Sequence, residues 1–117
     1  RANTPMHALT TLNDITYVES ARALASNILT ETANESKRMR LAGRRVLGRS
    51  LSSEEERLFL RSLKRATDAF RADPKSARQF LTHGESKRDS SLPVEAHAAW
   101  TAVCLNLLNL DETLTKE

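Results

Sequence analysis

Apolar positions along most of the chain recur with the three- and four-residue spacing of an α-helix, and no segment keeps the two-residue alternation of a strand. The Asn-Gly and Asp-Gly pairs typical of β-hairpins do not occur. Short polar segments with capping residues separate the helical stretches. We therefore predict an all-α fold, a compact array of about five or six helices around a buried C-terminal helix.

The positions of the predicted helices follow from their start and stop residues. Ser52 and Ser53 each precede a glutamate by three residues, which is the spacing of a capping box, and Gly48 is suited to end the helix before them. The polar, aperiodic stretch 83–92 is predicted to be a loop. Helices are expected over residues 5–12, 15–32 and 35–47, from Ser52 or Ser53 to about Ala72, in a short segment after Pro74, and over residues 93–110.

The last predicted helix differs from the others because residues 96–110 contain no Asp, Glu, Lys or Arg. A helix that is apolar on nearly all sides must be buried on most of them. We therefore place it at the centre of the array. Asp111 and Glu112 follow it and oppose the helix dipole at a C-terminus, so either the helix continues past them or a basic partner compensates.

Composition narrows the class of protein. The chain has 117 residues, of which 39% are apolar and 28% charged, and we expect residues 1–117 to form a single helical domain. No apolar run reaches the roughly 18 residues that a membrane-spanning helix needs. The single cysteine excludes an internal disulfide, and no Cys/His spacing indicates a metal or haem site, so no cofactor is expected in this chain.

Positive charge is concentrated in one segment, although the formal net charge is only +3. Every charged residue from position 37 to 49 is basic, and on a helical wheel these residues lie opposite the apolar stripe. We take this basic face as a candidate interaction surface for an acidic protein partner or for nucleic-acid phosphates. Nucleic acid is the least favoured partner because net charge and aromatic content are low. The basic face consists of Lys37, Arg38, Arg40, Arg44, Arg45 and Arg49.

A second candidate site is a pocket in which His83, Glu85 and Asn109 converge, which would indicate an enzyme site. Asn109 and Asn106 interrupt the apolar last helix, and as buried amides they are expected to bond neighbouring backbone. Cys104 lies among apolar residues, where a buried, inert thiol is expected. No catalytic or metal-binding residue is assigned, and we favour a non-catalytic role for this chain alone.

Three stretches of the chain resemble one bacterial family. Residues 4–9 (TPMHAL) with 12–14 (LND) match its N-terminal pattern, and residues 47–49 (LGR) with the following Ser/Glu-rich helix start match its middle. Its C-terminal signature is similar to residues 84–86 (GES), 98–101 (AAWT) and 107–112 (LLNLDE). The family is the domain of unknown function 1553, which occurs in planctomycetes and related bacteria.

The resemblance implies that these residues form the C-terminal end of a longer exported protein, periplasmic or secreted, which often carries a cytochrome-c-like haem domain upstream. It implies no catalytic residues. We therefore expect a helical packing or interaction module whose partners are upstream domains of the same polypeptide or another protein. A large exposed apolar patch is expected on such a module. The alternative is a contribution to an extracytoplasmic enzyme site acting on a polysaccharide or redox substrate.

Overall fold

The computed structural model describes residues 15–82 and 90–116. Within these ranges the chain forms helices and no strand, which confirms the predicted all-α class. The predicted helix over residues 5–12 and most of the predicted loop lie outside the described residues. The helices are α1 (Ile15–Glu31), α2 (Glu35–Leu47), α3 (Ser53–Ala72), α4 (Pro74–Leu81) and α5 (Val94–Lys116).

Local capping explains where α2 and α3 begin and end. The side chain of Asn34 accepts a hydrogen bond from the Lys37 amide at the start of α2. Gly48 ends this helix with a φ of 72°, a left-handed conformation in which glycine avoids the strain of a Cβ. Ser52 and Glu55 then form the predicted capping box that starts α3.

Helix α5 lies at the centre of the core, as the absence of Asp, Glu, Lys and Arg from residues 96–110 predicts. It packs against each of the other four helices, and Trp100 and Val103 retain only 3% and 1% of their exposure. The prediction that this helix ends near Leu110 is wrong, since α5 continues to Lys116. Of the two alternatives for Asp111 and Glu112, the structure therefore shows continuation of the helix.

The packing of α2, α3 and α5 depends on a close contact at Gly43 and on the relative direction of α3 and α5. A Cβ added to Gly43 would lie 2.5 Å from Cγ of Leu51, so the absence of a side chain in α2 lets the connection to α3 fold tightly over it. The N-terminal half of α3 lies beside residues 106–110 of α5, and its C-terminal half lies beside Pro93 and Trp100. Helices α3 and α5 are therefore antiparallel.

Candidate functional site

Arg38, one residue of the basic face, bonds to backbone carbonyl groups at the end of α1. Nε of Arg38 donates to the carbonyl oxygen of Thr32 at 2.5 Å, and Nη2 donates to that of Leu29 at 3.1 Å. These carbonyls lie at the C-terminal end of α1, where helical carbonyls have no intrahelical partner and the dipole favours a cation. Arg38 therefore acts as a capping group between α1 and α2.

Three more arginines of the basic face contact carboxylates of the same chain. A phosphate would have to compete with these pairs, so the face presents less free positive charge than its sequence suggests. Lys37 and Arg44 stay exposed, and Arg44 contacts only the hydroxyl of Ser50, at 3.5 Å. The pairs are Arg40 with Glu56 at 3.6 Å, Arg45 with Glu31 at 2.5 Å, and Arg49 with Glu55 at 2.8 Å.

The Arg49–Glu55 pair is the best-defined of these contacts. Both terminal nitrogens of Arg49 donate to the carboxylate, at 2.8 and 2.9 Å. The Glu55 carboxylate also accepts from the Ser52 amide at 2.9 Å. These hydrogen bonds, the one from Arg49 above all, lower the pKa of Glu55 to about 2. The C-terminal end of the basic face is thus tied to the start of α3.

A concave surface lies between the N-terminal half of α3 and the C-terminal half of α5. This α3–α5 groove has a volume of about 570 Å³. On α3 it extends from Glu55 to Arg65, which at 1.5 Å per residue is about 15 Å, or three helical turns. It is lined by Glu55, Leu58, Phe59, Ser62 and Arg65 of α3 and by Asn106, Asn109 and Leu110 of α5.

One large apolar side chain at this groove is exposed. Leu58 is 58% exposed, and no other large hydrophobic side chain among residues 17–82 and 90–111 is comparably open. Phe59 and Leu110 are half-buried beside it. The expected large apolar patch is therefore not found on the described surface, because the long apolar helix has its partners inside the domain. A narrow groove is present in its place.

A row of arginines on α3 ends at the groove, which Arg65 lines. Arg57, Arg61 and Arg65 are spaced four residues apart on α3 and all three are exposed. Within the described part of the chain, none of them has a carboxylate within ion-pair distance. We call these three residues the arginine row. Sequence reasoning missed it, although the four-residue spacing of like charges in α3 was a usable signal.

A buried polar cluster joins α1, α4 and α5, and sequence patterns gave no sign of it. Arg22 is only 3% exposed and donates from Nη1 to the carbonyl oxygen of Leu81, the last residue of α4. Nε2 of the buried His97 lies 3.2 Å from the Arg22 carbonyl oxygen. Because a carbonyl oxygen only accepts, Nε2 carries the hydrogen. This cluster holds three helices together and does not line the α3–α5 groove.

Of the three residues in the predicted pocket, the structure describes only Asn109. Asn109 lines the α3–α5 groove, while His83 and Glu85 lie outside the described residues, so their convergence stays a prediction. Asn106 is exposed at the groove, where burial was expected. Cys104 is buried as predicted, and burial raises the pKa of its thiol to about 12. The thiol is therefore protonated and unreactive at neutral pH.

Metal and membrane sites need particular arrangements of residues. Residues 17–82 and 90–111 contain no group of three or more His, Cys, Asp or Glu side chains arranged to hold a metal ion. None of the helices in those ranges combines the length and apolar character that a bilayer crossing requires.

Comparison with known proteins gives one match. A family model described as "PSD1: Protein of unknown function (DUF1553)" matches residues 1–63, slightly more than half of the chain. The matched residues contain the first two stretches of the resemblance, and the third stretch, from residue 84 onward, lies beyond them. No curated protein and no solved structure matches the chain.

Proposed function

The chain belongs to the family of proteins of unknown function described as PSD1 (DUF1553), and on that premise we propose that it is a non-catalytic helical interaction module. The α3–α5 groove binds an amphipathic helix of a protein partner, which is either another domain of the same polypeptide or a separate chain. The observation that carries this proposal is the groove itself, with Leu58 left 58% exposed at its edge.

The dimensions of the groove favour a helical segment as its occupant. Its length on α3 is about 15 Å, which matches about ten residues of helix. Helix-in-groove recognition places apolar side chains at i, i+3, i+4 and i+7 into a hydrophobic groove. Phe59 and Leu110 supply apolar floor, and Asn106 supplies polar rim. A small molecule needs most of its surface enclosed, which a groove with Leu58 this exposed does not provide.

Binding of a synthetic peptide tests the proposal. The probe is a fluorescently labelled amphipathic helix of about 14 residues, four helical turns, with leucines at i, i+3, i+4 and i+7 and glutamines elsewhere. Wild type is expected to raise its anisotropy, and Leu58→Ser is expected to weaken binding about tenfold, because the exposed side chain is buried on binding.

A matched variant controls for loss of apolar surface in general. Ala69 is exposed on the same side of α3 but does not line the groove, so Ala69→Ser should bind the peptide like wild type. Equal binding by Leu58→Ser and wild type, or no binding by wild type to any leucine-bearing peptide, overturns the proposal.

We also propose, from the family resemblance, that the partner domain belongs to an exported protein with a haem-binding domain. An export signal and a Cys-x-x-Cys-His motif in the full gene product would support this placement. A full gene product without an export signal and without this motif would overturn the placement in an exported haem protein. The proposal that the groove binds a helix would stand. The alternative of an enzyme site depends on His83 and Glu85 and stays a prediction.

A further inference from the structure

The arginine row is the largest set of uncompensated charge next to the α3–α5 groove. Arg57, Arg61 and Arg65 repeat every four residues, so their side chains project about 6 Å apart along one side of α3. On the same helix, Glu54 lies three residues before the row and Asp68 three residues after it. Glu55 and Glu56, directly before Arg57, are paired with Arg49 and Arg40. Asp68 contacts Lys64 at 3.5 Å. The described chain leaves the three guanidinium groups open to solvent.

The arginine row meets the groove at Arg65, whereas Arg57 and Arg61 do not line it. Arg65 lines the groove, and Leu58 lies between Arg57 and Arg61 in sequence while facing the groove as well. Like charges four residues apart disfavour the helix that carries them. Their placement beside an exposed leucine therefore favours a partner whose charge relieves this repulsion. The opposite rim carries neutral amides, Asn106 and Asn109, and the one carboxylate among the described lining residues, Glu55, is paired with Arg49. Charge selection is therefore expected at the Arg65 side of the groove.

We propose that the occupant of the α3–α5 groove is an acidic amphipathic helix, with leucine-like residues in the groove and carboxylates along the flank that faces the arginine row. This inference rests on the proposed function and specifies its partner. Guanidinium groups bind carboxylates through paired hydrogen bonds, and the three-turn length of the groove allows two or three such contacts. Lys37 and Arg44, two basic residues of α2 without a carboxylate partner among the described residues, do not line the groove.

Three labelled peptides with the same leucine spacing test the charge requirement. One carries glutamate along one flank, the second carries lysine there, and the third keeps the glutamates but replaces the leucines with alanine. Wild type is expected to bind the glutamate–leucine peptide about tenfold more tightly than the lysine peptide, and more weakly as salt is raised. The glutamate–alanine peptide is expected to bind at least tenfold more weakly than the glutamate–leucine peptide.

Paired variants locate the charge effect. Arg61→Gln combined with Arg65→Gln should weaken binding of the glutamate–leucine peptide about tenfold, since it removes two ion pairs. Lys37→Gln combined with Arg44→Gln removes the same charge from α2 and should stay within about twofold of wild type. A thermal unfolding curve of each variant verifies that both are folded.

The outcomes separate this inference from the proposed function. If the glutamate and lysine peptides bind equally and both depend on Leu58, the interaction module stands and the acidic partner is overturned. If no leucine-bearing peptide binds, both are overturned. If a single-stranded oligonucleotide binds more tightly than the glutamate–leucine peptide, and depends on Arg61 and Arg65 but not on Leu58, the acidic helix is overturned in favour of nucleic acid.

Discussion

Helices α2 and α3 both carry several arginines, but the two sets differ in how many have partners within the chain. On α2, Arg38 caps α1, and three neighbours face carboxylates from the end of α1 or the start of α3. On α3, Arg57, Arg61 and Arg65 have no carboxylate within ion-pair distance among the described residues. A count of basic residues in a sequence therefore does not locate free positive charge, because distant acids decide which cations are compensated.

Removing a capping arginine from α2 should have the largest effect on stability. Arg38→Ala leaves the carbonyls of Thr32 and Leu29 without these charged donors, and we expect a loss of about 2 kcal/mol in the free energy of unfolding. Urea denaturation measures this directly. Arg65→Ala is the control and should change stability by no more than about 0.5 kcal/mol. Equal losses of unfolding free energy in Arg38→Ala and Arg65→Ala would contradict the structural role given to Arg38 alone.

The Arg49–Glu55 pair predicts a pH dependence that the arginine row should lack. The pKa of Glu55 in the folded protein is about 2, below its ordinary value of 4.5. The pair therefore contributes its full stabilisation above about pH 4.5. The stabilisation is lost as the pH falls toward 2. Carboxyl resonances followed by NMR should show Glu55 titrating near 2 in wild type.

Substitution of the arginine provides the comparison. In Arg49→Gln the Glu55 pKa should rise toward 4.5, because the strongest of its hydrogen bonds is gone. The stability difference between this variant and wild type should shrink between pH 6 and pH 3. An unchanged Glu55 titration in Arg49→Gln would show that the paired contact is not formed in solution.

A smaller effect is expected for an exposed pair of α2. A double-mutant cycle on Arg45→Gln and Glu31→Gln should give a coupling of about 0.2–1 kcal/mol, since both partners are partly solvated. The same cycle on Arg61 and Glu31, which are not paired, should give none. Coupling in the second cycle would mean that the charges interact over a long range and that the local pairing described here is not the cause.

The smallest predicted effect has the opposite sign. Arg61→Gln removes the middle charge of the arginine row and thereby two like-charge contacts at four-residue spacing. We expect the free energy of unfolding to rise by a few tenths of a kcal/mol at low salt, and the gain to vanish at high salt. Thermal unfolding at two salt concentrations measures it. A clear loss of stability would show that Arg61 has a structural partner.

Local signals predicted most of the fold, because caps and helical periodicity act over a few residues. Gly48, the Ser52–Glu55 capping box and the uncharged stretch before Asp111 each indicated a boundary or a buried face that the structure contains. The end of α5 was misplaced since Asp111 and Glu112 disfavour a helix terminus without specifying how far the helix continues.

The functional surface was predicted less well, because it depends on contacts between distant residues. Nothing near Arg45 in the sequence indicates that Glu31 neutralises it, and nothing near Leu58 indicates that α5 leaves it exposed. Three arginines of the basic face are paired with carboxylates, which its sequence did not indicate, and the arginine row was overlooked. Buried polar contacts such as Arg22 with Leu81 join residues far apart in the chain, which periodicity cannot reveal.

The most direct test of the central claim is a map of amide chemical-shift changes when ¹⁵N-labelled protein is titrated with the glutamate–leucine peptide. We expect the largest changes in the segments 55–65 and 106–110, which contain the groove-lining residues. Largest changes in residues 37–44 would contradict this, because the peptide would then bind the basic face of α2 and not the groove.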